Sequence, residues 1–237
     1  TLSDGSGTMY YTTDGSDPRL PGGTINPNAI SVNGSEVSAT LVNKEETWSY
    51  LDDGSDQGTA WQAPGFDDSS WATGQAELGY GDGPGGAEGT EVGFGGNLAN
   101  KFITTYFRKK FTATDVAVIT GLQLGLRRDD GAVVYLNGTE VWRNGMPDVE
   151  VIGHTTLASN GAGGTDESIF HQKNDILTSL LVEGTNTIAV EVHQNSPTSS
   201  DISFDLELHV TKPSDPSQLS LDESTLVRAR VLSDNEW

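Results

Sequence analysis

Residues 202 to 210 read Ile-Ser-Phe-Asp-Leu-Glu-Leu-His-Val, with an apolar side chain at every second position. A period of two puts Ile202, Phe204, Leu206, Leu208 and Val210 on one face of an extended chain, and Ser203, Asp205, Glu207 and His209 on the other. That is the signature of a half-buried strand. Strands are likewise predicted over 8–12, 47–51, 102–111, 121–127 and 187–193. Ala132 to Leu136 leads through Asn137-Gly138 into Thr139 to Trp142. Asn-Gly between apolar runs marks a tight hairpin, because both residues tolerate positive φ. Helical patterning is confined to a turn around Asn174 to Leu181, with Asn174 as its cap, and another at Asp67 to Trp71. The 29 glycines and 9 prolines fit many short strands joined by turns. The sequence predicts an all-β chain.

Thirty-four acidic residues against 13 basic ones give a net charge of -21. Such a surface repels phosphate backbones and anionic membranes, so nucleic acid and membrane are set aside as partners. The acidity suits solubility in a secreted or salt-exposed protein. It also suits calcium, a hard cation that takes oxygen ligands. The absence of cysteine excludes disulfides, thiolate zinc sites and cysteine nucleophiles. No run approaches the ~18 apolar residues of a membrane span, and no signal peptide opens the sequence. The start at Thr1 and stop at Trp237 read as a piece of a longer secreted or cell-surface protein, whose flanking domains would be its partners.

Near the start, Thr8 to Thr12 is followed by the turn cluster Asp14-Gly15-Ser16-Asp17-Pro18, then by Pro21-Gly22-Gly23 and Asn33-Gly34. Near the end, Lys212 to Ser217 has linker composition, and Ser224 to Leu232 alternates as a strand. Residues 8–19 resemble the opening of the small Ig-like domain at the C-terminus of chitobiases and β-hexosaminidases. Residues 224–231, followed by Trp237, resemble its closing half. The resemblance implies one small Ig-like β-sandwich formed by 1–36 and 213–237, with a larger domain, 37–212, inserted in it. Such insertion is physically easy at an exposed turn.

Four pieces of the inserted body carry a second resemblance: Phe66-Asp67-Asp68-Ser69-Ser70-Trp71; residues 128–138, from Arg128-Asp129-Asp130-Gly131 to Asn137-Gly138; residues 180–190, around Glu183-Gly184-Thr185-Asn186; and 202–210. In this order they are similar to the galactose-binding-like jelly rolls that serve as carbohydrate-binding modules and as sugar-binding domains of β-galactosidase-type hydrolases. The implied fold is a jelly-roll β-sandwich. The implied ligand is polysaccharide or oligosaccharide, although the fold also serves other recognition and purely structural roles.

No H-E-x-x-H, G-x-S-x-G or Walker motif is present. Gly79-x-Gly81-x-Gly83 stands before Pro84 in a β context and reads as a surface loop rather than a phosphate cradle. No carboxylate pair is singled out as a glycosidase pair, so the chain is predicted not to be an enzyme. Arg128, Asp129 and Asp130 offer the opposed donors and acceptors that grip vicinal hydroxyls; the alternative is a salt-bridged turn. His193 and Gln194 end a strand where loops gather; the alternative is a histidine bonded to local backbone. Asp201 precedes the closing strand and is placed on the same rim. Asp129, Asp130 and Asp201 are candidates to share a structural calcium ion, though their spacing matches no EF-hand. Trp142 is the first stacking platform and Trp61 the second, with Trp48 and Trp71 assigned to the core. The expected function is a non-catalytic carbohydrate-binding module of a larger secreted protein. The alternatives are a structural spacer or protein-adhesion module, and a module whose calcium only braces the fold.

Overall fold

The computed structural model describes residues 8–32, 36–81, 88–149, 151–213 and 226–232. Asn33-Gly34, Gly83 to Gly86, Ser214 to Ser217 of the linker, Ser224-Thr225 and Trp237 lie outside the described residues. In chain order the strands are β1 (Thr8–Thr12), β2 (Ile30–Val32), β3 (Glu36–Val42), β4 (Thr47–Leu51), β5 (Ala72–Gln75), β6 (Leu78–Tyr80), β7 (Thr90–Glu91) and β8 (Thr104–Ala113). They continue with β9 (Gly121–Asp129), β10 (Gly131–Leu136), β11 (Thr139–Asn144), β12 (His171–Lys173), β13 (Gly184–His193), β14 (Ile202–Pro213) and β15 (Arg228–Leu232). The one α-helical turn among the described residues is α1 (Thr165–Ser168). No described helix is long and apolar enough to cross a membrane.

The chain divides into two compact units, residues 1–37 with 212–237 and residues 38–211. In the smaller unit, β1 pairs antiparallel with β15 and with β2, so the first and last described strands lie side by side. Asp14 closes the following turn by accepting from the Ser16 amide at 2.9 Å, with Gly15 at φ 77°. Asp17 takes a two-pronged bond from Arg230, at 2.6 and 2.7 Å. That guanidinium is the main reason the Asp17 carboxyl is held down to about 2.

The larger unit is a β-sandwich. One sheet runs β11-β10-β13-β8-β4-β5, and the other runs β12-β9-β14-β6-β7 with β3 added against β14. Along these two runs, β3 aside, pairing is antiparallel except between β6 and β7. The alternating residues of β14 meet those of β8 and β4 between the sheets. Phe107 stacks on Phe204 at 4.1 Å, and Trp48 meets Phe204 edge-on at 4.9 Å. Trp48 and Trp71 are buried, as the sequence implied. Asn137 and Gly138 turn β10 into β11 with φ of 50° and 84°, the conformation that an Asn-Gly hairpin needs.

The outer face of the first sheet departs from the half-solvated pattern. A second apolar layer of Trp61, Trp71, Tyr106, Val133, Tyr135 and Ala189 covers it. This explains why β10 is buried at every position: a sheet covered on both faces shows continuous rather than alternating burial. Local helix also differs from expectation. A 3-10 turn at Thr178–Leu180 falls within the predicted helical turn, but residues 67–71 form none, and a 3-10 turn at Ala60–Gln62 buries Trp61 instead.

Candidate functional site

The ends of β9 and β13 and the start of β14 meet at one end of the sandwich, where β9 gives Arg128 and Asp129 and β13 gives His193. The Asp129–Asp130 peptide is cis. Asp130 is buried, and its carboxylate accepts from Ala162 N at 2.8 Å, Asn195 N at 2.7 Å and Ser199 Oγ at 3.1 Å. Arg128 donates to Asn144 at 2.6 Å and to Asp166 of α1 at 2.8 Å. Asp130 thus ties two connections to the sandwich, β11–β12 and β13–β14, and Arg128 ties α1.

His193 and Gln194 are almost without exposed surface. His193 Nδ1 lies 2.8 Å from the Thr156 carbonyl and 3.0 Å from Thr104 Oγ1. Its Nε2 stands 3.3 Å from Glu191 without hydrogen-bond geometry. Gln194 donates to Tyr80 Oη at 2.6 Å. Loops that a strand-end reading could not place fold over both residues. Where the sequence reading expected sugar contacts, His193, Gln194, Arg128 and Asp130 are buried, with His193 Nε2 and Gln194 Oε1 left without a hydrogen-bond partner. Trp61, the second stacking candidate, is wholly buried.

Asp129 and Asp201 behave differently. One carboxylate oxygen of each lies within 4.8 Å of one from Glu167, which the sequence reading did not include. Glu167 arrives on the long connection between β11 and β12, too far along the chain for spacing to reveal. Asp129 is buried, and its Oδ1 has no hydrogen-bond partner. Burial first, then the hydrogen bond and charge of Asp130 and those of Asp201, push its carboxyl far above the ordinary carboxylate range. Lys101, which is also buried, donates to the Ser199 and Ser200 carbonyls at 2.5 and 3.0 Å and so holds the segment leading to Asp201. The cluster could hold a metal. Its oxygen-only donors suit a hard cation.

The larger unit also carries two clefts. At the open edge between β11 and β12, a cleft of about 460 Å³ is lined by Trp142, Glu140, Arg143, Asp148 and Lys173 among others. Trp142 is half-buried, and Arg143 donates to both oxygens of Glu140 at 2.6 and 3.0 Å. On the outer face of the second sheet, a cleft of about 550 Å³ is lined by Lys44, Glu77, Arg127, Phe170 and Asp205 among others. Lys44 and Arg127 lie over the Phe170 ring at 4.0 and 5.1 Å, and Arg127 pairs with Glu77.

Asp205 is buried beside that cleft, where desolvation pushes its carboxyl up to about 6 against the amides of Glu45 and Leu206. A folded-state value above the unfolded one means the native protein holds the proton more tightly. Stability is then lost as pH rises between about 4 and about 6, and the loss is complete above that window. At about 1.4 kcal/mol per pH unit, the full loss is roughly 3 kcal/mol. Asp205→Asn, which keeps an acceptor for both amides, should gain on the parent chain by about 2 kcal/mol between pH 4.5 and pH 7. Urea titrations of both proteins at the two pH values measure this, and parallel stability changes would refute it.

No protein-family model matches the chain, and no curated protein matches it by sequence. Solved structures with a similar arrangement include a β-glucuronidase 2 of Bacteroides uniformis (18% identity over 74% of this chain and 18% of that one, TM-score 0.47). Another is an uncultured Clostridium sp. β-glucuronidase (16%, covering 85% and 34%, TM-score 0.45). A third is a Bacteroides vulgatus β-glycosidase (18%, covering 73% and 20%, TM-score 0.43). The chain spans about a fifth to a third of the length of those proteins. A likeness at this level says nothing of activity.

Proposed function

We propose that the larger unit is a non-catalytic carbohydrate-binding module of a longer secreted protein. The observation that carries this is the half-buried Trp142 in a cleft whose other walls are Glu140, Arg143, Asp148 and Lys173. A sugar ring offers C–H faces to an aromatic ring and hydroxyls to charged donors and acceptors, and this cleft provides both. The reading places the sugar at the sandwich edge rather than at the strand-end rim first expected. It includes a calcium ion at the strand-end carboxylates, supported by the partnerless Oδ1 of Asp129, that braces the fold.

Affinity electrophoresis against plant, algal and microbial polysaccharides tests the reading. Retardation by one class is expected, in the micromolar to millimolar range of roughly -8 to -4 kcal/mol. Trp142→Ala should weaken binding by about 10-fold or more and cost only about 1–2 kcal/mol of stability, since its ring is only partly in the core. Failure of every polysaccharide to retard the chain would reject it. A second reading, a structural spacer or protein-adhesion module, is favoured by one observation: the polar groups of Arg128 and Asp130 are engaged by the protein's own loops.

A further inference from the structure

The cluster of Asp129, Glu167 and Asp201 joins three separate stretches of chain: the end of β9, α1, and the residue just before β14. Carboxylates brought this close repel one another unless a proton or a cation lies between them. Three nearby basic groups are bonded elsewhere. Arg128 is bonded to Asn144 and Asp166, Arg127 to Glu77 and the Ser168 carbonyl, and Lys101 to the Ser199 and Ser200 carbonyls. Asp129 Oδ1 is left buried and without a partner. A buried carboxylate oxygen in that condition is costly unless something absent from the polypeptide satisfies it.

The α1 segment has a second attachment. Asp166 takes the bond from Arg128, Ser168 offers its carbonyl to Arg127 at 3.1 Å, and Phe170 then forms a wall of the 550 Å³ cleft beneath Lys44 and Arg127. The geometry points to a calcium-type cation held by Asp129, Glu167 and Asp201 that fastens α1 onto the strand ends and so sets the Phe170 wall of the neighbouring cleft. Oxygen ligands within 4.8 Å of one another can share an ion whose bonds are about 2.3–2.6 Å long. Without the cation, the Glu167 carboxylate stands close to two like charges. The inference rests on the calcium part of the proposed function and not on its sugar part.

The test uses the whole chain, stripped of metal with a chelator and then desalted. Tyr80 lies near the cluster, for it pairs with Ile202, the residue after Asp201. Terbium bound there should luminesce through Tyr80, and calcium should compete it off. Asp129→Asn and Glu167→Gln should each weaken calcium binding by about 10-fold or more, while Glu91→Gln, on exposed β7, should not. Hydrogen exchange over 163–171 should slow on adding calcium, and Glu167→Gln should abolish that protection. Glu167 sits half-buried on the turn α1, outside the strands, so its variant remains informative if Asp129→Asn fails to fold. No saturable calcium binding would overturn both this inference and the calcium part of the reading. Calcium binding that ignores Glu167→Gln, or leaves 163–171 unprotected, would overturn the fastening of α1 alone. Magnesium binding as tightly as calcium would overturn the assignment of the ion.

Discussion

Replacing Arg108 with methionine is expected to lower the stability of the chain by about 3–5 kcal/mol, the usual cost of removing one partner from a buried charged network. Arg108 has no exposed surface. It projects from β8 on the side opposite Phe107 and draws the segment 61–68 onto the outer face of the first sheet. Its Nε donates to Asp68 at 3.1 Å, Nη1 to the Trp61 carbonyl and Nη2 to the Ala63 carbonyl at 3.2 Å, and its guanidinium carbon lies 5.2 Å from the Phe66 ring. Methionine keeps the volume but leaves the Asp68 carboxylate and two carbonyls without their donor. Lysine should fare little better, because one ammonium cannot reproduce a planar fork that serves three acceptors. Urea denaturation measures the effect. A loss below about 1 kcal/mol would mean that the aromatic rings alone hold the segment.

Trp61→Ala should cost about as much, roughly 3–5 kcal/mol, by opening a cavity under the same segment. Its ring meets Tyr106 edge-on at 4.8 Å and Tyr135 at 5.7 Å. Because Trp61 and Arg108 secure one segment, the double variant should lose less than the sum of the two single losses. The contrast with Trp142 is the functional point. Trp61→Ala should spare polysaccharide retention in whatever fraction stays folded, whereas Trp142→Ala should lose retention and keep the fold. Retention that tracks Trp61 instead would move the ligand to the outer face of the first sheet.

Much of the strand framework was legible because strand geometry is local. Alternation over 202–210 orients every side chain of β14 there without reference to anything distant. Asn137-Gly138 dictates its turn because only a few residues tolerate two successive positive φ values. The site was less legible. Trp61 sits among polar neighbours, so a windowed reading places it in solvent, yet a charge on β8 pulls it inside. Trp142 was readable as a half-exposed ring at a strand end, but the lysine facing it comes from β12, at the edge of the other sheet.

By itself, the sequence determined an all-β chain without cysteine chemistry, the faces of its main strands and its central hairpin, since strand faces and turns depend on residues within a turn or two of one another. Only the tertiary structure decided which polar strand-end groups remain available. Arg128, Asp130, His193 and Gln194 are enclosed because loops from elsewhere in the chain fold over them. Asp129, Glu167 and Asp201 converge because the end of β9, the turn α1 and the start of β14 meet at the same place. Burial and the meeting of distant carboxylates are properties of the packed chain, and no periodicity along the sequence encodes them.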